Sequence, residues 1–181
     1  MGEPDGECVN NDVLIGEYGR VIRQLISSSQ SSVVNTAVDT FVVQMLSAVV
    51  SLSVQELSLL IGQEEVGYLT FGILGALKSK CMGDGFRARI IVEESVDRSR
   101  FFGIPGVEVK WLPRGFKLAS ELLHFALSDQ KTLLLFERSS KKKACLFPAK
   151  RIGITDSAQE LFEGLWNAVA MGDNEDVEGS K

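Results

Sequence analysis

Apolar residues recur along this chain at two spacings, broken by polar turns. Ile15, Tyr18, Val21, Ile22, Leu25 and Ile26 keep helical spacing and predict a helix over 16–28, ended by the serine-rich stretch 27–32. Val33, Val34, Ala37 and Val38 predict a short strand near 32–38. Thr40 to Leu52 is too uniformly apolar for periodicity to separate helix from strand. It is assigned as a helix over 39–51. Val54 to Ile61, closed by Gly62, is short, apolar and bounded by a turn residue, as a buried strand is.

Residues 63–82 read as one helix on Val66, Leu69, Ile73, Leu74 and Leu77. Gly67, Gly72 and Gly75 each cost about 1 kcal/mol relative to alanine in a helix interior, which implies close backbone packing. Gly72 and Ala76, four apart, would leave a groove for the chain's own sheet, with a dimer contact as the alternative. A turn at Gly83-Asp84-Gly85 precedes a β-branched run, Phe86 to Val92, so 54–92 forms a strand, helix, strand unit with parallel strands. Val107 to Trp111 alternates with period two, a half-exposed strand ended by Pro113. Strands over 121–128 and 131–138, joined through Asp129-Gln130, and 144–147 after a turn at 139–143 make an antiparallel meander. Ser157 and Glu160 fit a capping box that opens a helix over 157–170. Leu161, Phe162, Leu165, Trp166 and Val169 form its apolar stripe. The expected fold is α/β, with a mixed sheet covered by helices.

Composition sets the frame for that fold. With 181 residues, 45% hydrophobic and 24% charged, the chain is long enough to bury a core as a single domain over 13–171. The stretches 1–12 and 172–181 are charged and poor in apolar residues, so burial cannot offset their ordering entropy. Cys8, Cys81 and Cys145 show no CxxC spacing and His124 is the single histidine, which gives no zinc set and suits free thiols in a reducing compartment. The first residues are acidic where a secretory signal is basic, then apolar. No apolar run reaches the roughly 18 residues of a membrane span. These features predict a cytoplasmic protein without membrane association, metal or cofactor.

The net charge of −5 conceals a division. Residues 1–97 hold 6 basic and 13 acidic residues, 98–151 hold 12 and 4, and 152–181 hold 1 and 7. The basic middle segment either faces an anionic partner or complements its own acidic flanks. Lys141, Lys142 and Lys143 at a hairpin turn, with Lys150 and Arg151 beyond the next strand, are the candidate nucleic-acid contacts; the alternative is a solvated tip that protects a sheet edge. Trp111, Phe116 and Phe147 are the candidate aromatic platforms. Arg114 and Lys117 follow the strand ending at Trp111, and ligands in open α/β sheets settle beyond the carboxyl ends of strands, where Glu93 and Glu94 would also lie. Trp111, Arg114, Lys117 and His124 are therefore the candidate binding site for a small anionic or sugar ligand. His124 has no neighbouring serine or cysteine nucleophile, and no glycine pattern matches a phosphate loop.

Four stretches carry a family resemblance: 86–92 after a helix, 106–113, the hairpin 124–136 and the final helix 160–169. Over about 54–170 the chain resembles the effector region of archaeal TrmB-like transcriptional regulators, which is similar in fold to half of a phospholipase D domain. The phospholipase D signature has a lysine two residues after the histidine and an aspartate seven after it; this chain has Ala126 and Lys131. Asp129 stands where a turn favours aspartate. The resemblance implies a half-phospholipase-D-like sandwich without catalysis, working as a regulatory or sensing module, as a homodimer or with a protein partner. It further implies an effector-type module apart from its DNA reader, since the first 60 residues show no winged helix. The alternative is a nucleic-acid-binding accessory protein using 98–151.

Overall fold

A computed structural model describes residues 33–172 except 84, 94–95, 102, 113–123, 138–142 and 149–151. The expected helix over 16–28 and the charged stretch 1–12 lie outside the described residues, as does the stretch 172–181 apart from Gly172, which ends the last helix. In chain order the elements are β1 (Val34–Thr36), α1 (Asp39–Leu52), β2 (Glu56–Ile61), α2 (Phe71–Cys81), β3 (Arg87–Val92), β4 (Val107–Trp111), β5 (Phe125–Ser128), β6 (Leu133–Phe136), β7 (Ala144–Phe147) and α3 (Ile152–Gly172). Short 3-10 turns at Glu65–Tyr68 and Arg98–Phe101 follow β2 and β3.

Among the described residues the strands form one mixed sheet of seven, in the order β1-β7-β6-β5-β2-β3-β4. β2, β3 and β4 run parallel, with Glu56 opposite Arg87 and Val92 opposite Trp111. β5 returns antiparallel on β2 and opens the expected meander through β6 and β7, to which β1 adds an antiparallel edge. Period-two alternation divides the sheet residues between two cores. Leu57, Leu59, Ile61, Ile90, Val92 and Phe136 face α1 and α2, meeting Val42, Met45, Leu46, Val49, Ile73 and Leu77. Leu60, Ile91, Phe125, Leu127 and Leu133 face α3, meeting Phe162, Leu165, Trp166 and Val169. A fold of three layers results, with helices on both faces of the sheet.

Three expectations are corrected. The single helix over 63–82 is a 3-10 turn followed by α2, because Thr70 is extended and its Oγ1 accepts the Ile73 N–H at 3.4 Å, starting a new helix. Gly72, Gly75 and Ala76 do not pack on the sheet: they lie on the exposed side of α2, and a Cβ at Gly75 would meet nothing within 4 Å. The capping box at Ser157 is also absent. α3 begins at Ile152, so Ser157 sits inside the helix and its hydroxyl donates to the Gly153 carbonyl at 3.0 Å. The apolar stripe docks as expected, except that Leu161 stays exposed.

Candidate functional site

The carboxyl ends of β2 and β3 converge on the start of β5. Leu60 pairs with Phe125 across β2 and β5, which sets His124 beside the end of β2. The chain turns at Gly62 into the 3-10 segment, and Glu65 folds back so that its Oε2 accepts the Gly62 N–H at 3.1 Å. The same oxygen stands 2.8 Å from His124 Nδ1, and Glu93 Oε1, one residue past β3, stands 3.2 Å from Nε2. His124 and Glu65 are 3% and 4% exposed, Glu93 about a third. Both ring nitrogens thus face carboxylate oxygens. Carboxylates only accept, and a neutral imidazole donates from one nitrogen, so a ring protonated at both nitrogens satisfies both contacts whereas a neutral ring satisfies one.

The cluster joins three connections: the β2–α2 turn through Glu65, the β3–β4 loop through Glu93, and the start of β5. Glu93 Oε2 also accepts the Gln63 N–H at 3.4 Å, and Arg100 Nη1 donates to the Val66 carbonyl at 3.0 Å, tying the β3–β4 loop to the same turn. Trp111 ends β4 on the same edge, half-buried against the α1/α2 core. Three strand spacings, about 14 Å, separate it from His124. Arg114 and Lys117 lie outside the described residues. Among the described residues no group of three or more His, Cys, Asp or Glu could hold a metal ion.

Of the proposed cationic patch, Lys141, Lys142, Lys150 and Arg151 lie outside the described residues. Lys143 is committed to a local pair: its Nζ stands 2.6 Å from an Asp39 carboxylate oxygen, and Tyr68 donates its hydroxyl to Asp39 at 2.8 Å. Hydrogen bonds from Lys143, then from Tyr68, hold the Asp39 carboxyl below its ordinary range. Phe147 is half-buried against the α3 core, and Phe116 lies outside the described residues.

The amino ends of the same strands carry a second charged group on the α3 face. Arg89, 7% exposed, pairs with both Glu56 and Glu163, and its guanidinium lies 5.2 Å from the Phe162 ring centroid and 5.4 Å from that of Trp166. Lys110 Nζ sits 4.4 Å from the Trp166 ring centroid and donates to the Trp166 carbonyl at 2.9 Å. Arg89 holds the Glu163 carboxyl low. Asp129 accepts the Val54 and Gln55 N–H groups at 2.8 and 2.9 Å, and its own N–H donates to the Glu56 carbonyl, fixing the β5–β6 turn to the start of β2. Burial pushes its carboxyl up, but these N–H donors outweigh it and hold the carboxyl low.

Sequence reasoning singled out His124, and placed Glu93 past a strand end, without pairing them. Glu65 was missed. Its one signal is an acidic pair, Glu64-Glu65, separated by Gln63 from the glycine that closes an apolar strand. Arg89 and Glu163 were also missed, because a buried arginine alternates in β3 like any polar residue on a solvated face.

Among the described residues no helix is long and apolar enough to cross a membrane. No known protein family matches the chain, and no curated protein does. Among solved structures the chain is similar to TrmBL2, an archaeal chromatin protein whose structure is described as showing a novel mode of DNA binding. The TM-score is 0.58 at 12% identity, over 87% of this chain and 61% of that one. The α/β fold is therefore shared with a TrmB-like protein, and this chain spans about 61% of that protein's length.

Proposed function

We propose that this chain is a non-catalytic regulatory module of transcription, cytoplasmic, that binds a small ligand or a protein partner and works as a homodimer or with that partner. The observation that carries the reading is the engagement of both His124 nitrogens by Glu65 and Glu93. Nucleophilic or acid–base work by an imidazole requires a ring nitrogen presented to the reacting atom. A ring 3% exposed, with a carboxylate on each nitrogen, is suited to holding three connections together. Ala126 and Lys131, where a phosphodiesterase of the phospholipase D type has lysine and aspartate, support the same reading. The fold shared with a chromatin protein supports a role in transcription. Ligand contacts would come from Trp111 on the same edge and from Arg114 and Lys117, which follow it in the sequence, with His124 holding that edge in place.

The test is thermal unfolding against a panel of sugars, phosphosugars and nucleotides, run beside hydrolysis of a phosphodiester chromophore. A ligand at 100 times its dissociation constant adds about 2.7 kcal/mol, which shifts the midpoint by several degrees. Expected is no turnover, together with a shift for one small metabolite if the module senses a ligand, or no shift across the panel if its partner is a protein. Turnover that disappears in His124→Ala would overturn the proposal.

DNA binding is the second reading, favoured by the mode of binding attributed to TrmBL2. It predicts duplex affinity that falls steeply with salt and loses about one unit of salt slope for each phosphate-contacting lysine removed. Lys141, Lys142, Lys150 and Arg151 are the residues to remove, and Lys143, paired with Asp39, should contribute less.

A further inference from the structure

A cavity of about 530 Å³ opens at the amino ends of β2 and β3, on the edge opposite His124, between the sheet and α3. That volume lies within the range of small-molecule sites. Its lining includes Glu56, Ser58, Arg87, Leu127, Asp129 and Gln159. Arg87 and Asp129 flank the start of β2 from opposite sides, through the pairings of Glu56 with Arg87 and of Leu57 with Ser128. Two strand spacings, about 10 Å, separate their backbones, and the long arginine side chain narrows the gap. Arg87 directs its Nε and Nη2 at Glu56, but a guanidinium has five N–H donors and this one is 58% exposed. Its outer donors are open to a carboxylate in the cavity.

The charges around the cavity are unequal. Arg87 and Arg89 are answered by Glu56 and Glu163. Asp129 is met by the N–H groups of Val54, Gln55 and Gln130 and, among the described residues, by no cation. Each carboxylate oxygen takes two donors, so Oδ1, with one N–H, has room for an ammonium. Leu127 and Ser58 form the buried floor of the cavity, with the Ser58 hydroxyl donating to Glu56 and the Gln159 amide N–H to Glu163. A phosphate would meet Asp129 and Glu56 with its own negative charge. A neutral polyol would leave the Asp129 charge unanswered.

We propose that this cavity binds a zwitterionic α-amino acid, with its carboxylate on Arg87, its ammonium on Asp129 and its side chain over Leu127. The site is separate from the His124 edge and stands whether or not the module acts in transcription.

Isothermal titration of the full chain with the standard L-α-amino acids at millimolar concentration tests this. At least one should bind with a submillimolar Kd. Its amide and its deaminated acid should each bind about tenfold more weakly or worse, as expected for loss of one charge-assisted contact. Arg87→Met should weaken binding by a similar factor. Because Arg87 also pairs with Glu56, Gln159→Trp on the flank of α3 serves as the second variant, filling part of the cavity with a larger side chain while leaving the strands untouched. Absence of binding by every amino acid, undiminished binding in both variants, or binding of a sugar or inorganic phosphate in their place would overturn the proposal.

Discussion

At the carboxyl ends of β2 and β3 a carboxylate meets an imidazole with both almost out of solvent; at the amino ends a carboxylate meets a guanidinium that is 58% exposed beside a cavity. Both clusters are built from acidic and basic side chains at the tips of the same two strands. Burial separates their roles. A polar group removed from water must keep its partners, so the His124 cluster is held in one arrangement, whereas the exposed Arg87 can change partners at little cost.

The largest effect is expected from His124→Ala. It removes the donor facing buried Glu65 and should cost about 3–5 kcal/mol, measured as a lower urea midpoint at unchanged m-value. A cost below about 1 kcal/mol would make the two ends equivalent. Asp129→Ala deletes the acceptor for two backbone N–H groups and should cost about 1–3 kcal/mol, part of which Asp129→Asn should restore.

Acid sharpens the same point. Asp39, Asp129 and Glu163 titrate below the ordinary values of 3.8 for aspartate and 4.5 for glutamate. A carboxyl whose folded value is depressed contributes stability that is full above its unfolded value and is lost as pH falls through the folded one. The melting temperature should therefore be insensitive to these groups near neutrality and decline once pH drops below about 4. A melting temperature that is unchanged in strong acid would contradict these assignments.

Arg87→Met, at the open end, should change stability by less than about 1 kcal/mol in the same urea assay. The smallest effect belongs to Ser157→Ala. A capping serine would cost about 1 kcal/mol, but a serine inside a helix that bonds the carbonyl four residues back should cost within about 0.5 kcal/mol of zero.

Several elements were legible because a short-range pattern carried them. The parallel pair β2 and β3 followed from two apolar runs around a helix, and the meander from alternating runs around Asp129-Gln130. The Phe162, Leu165, Trp166 and Val169 stripe pointed correctly to the docking face of α3. Local patterns misled where two outcomes share one signature. Ser157 and Glu160 have capping-box spacing, yet a helix that starts earlier uses the same residues inside it. Gly72 and Ala76 have groove spacing, which is equally compatible with the exposed side of α2.

Short-range pattern alone was enough for the α/β class, the succession of the described strands along the chain and the apolar side of α3, because periodicity and turn chemistry act between residues a few positions apart. The meeting of Glu65 and Glu93 at His124, and the place of Arg89 between Glu56 and Glu163, follow from the folded sheet and not from any local pattern. Those partners are separated by between 31 and 74 positions along the chain. Their charges and hydrogen bonds acquire specific partners only when the sheet register brings them together and the layers exclude the water that would otherwise solvate them.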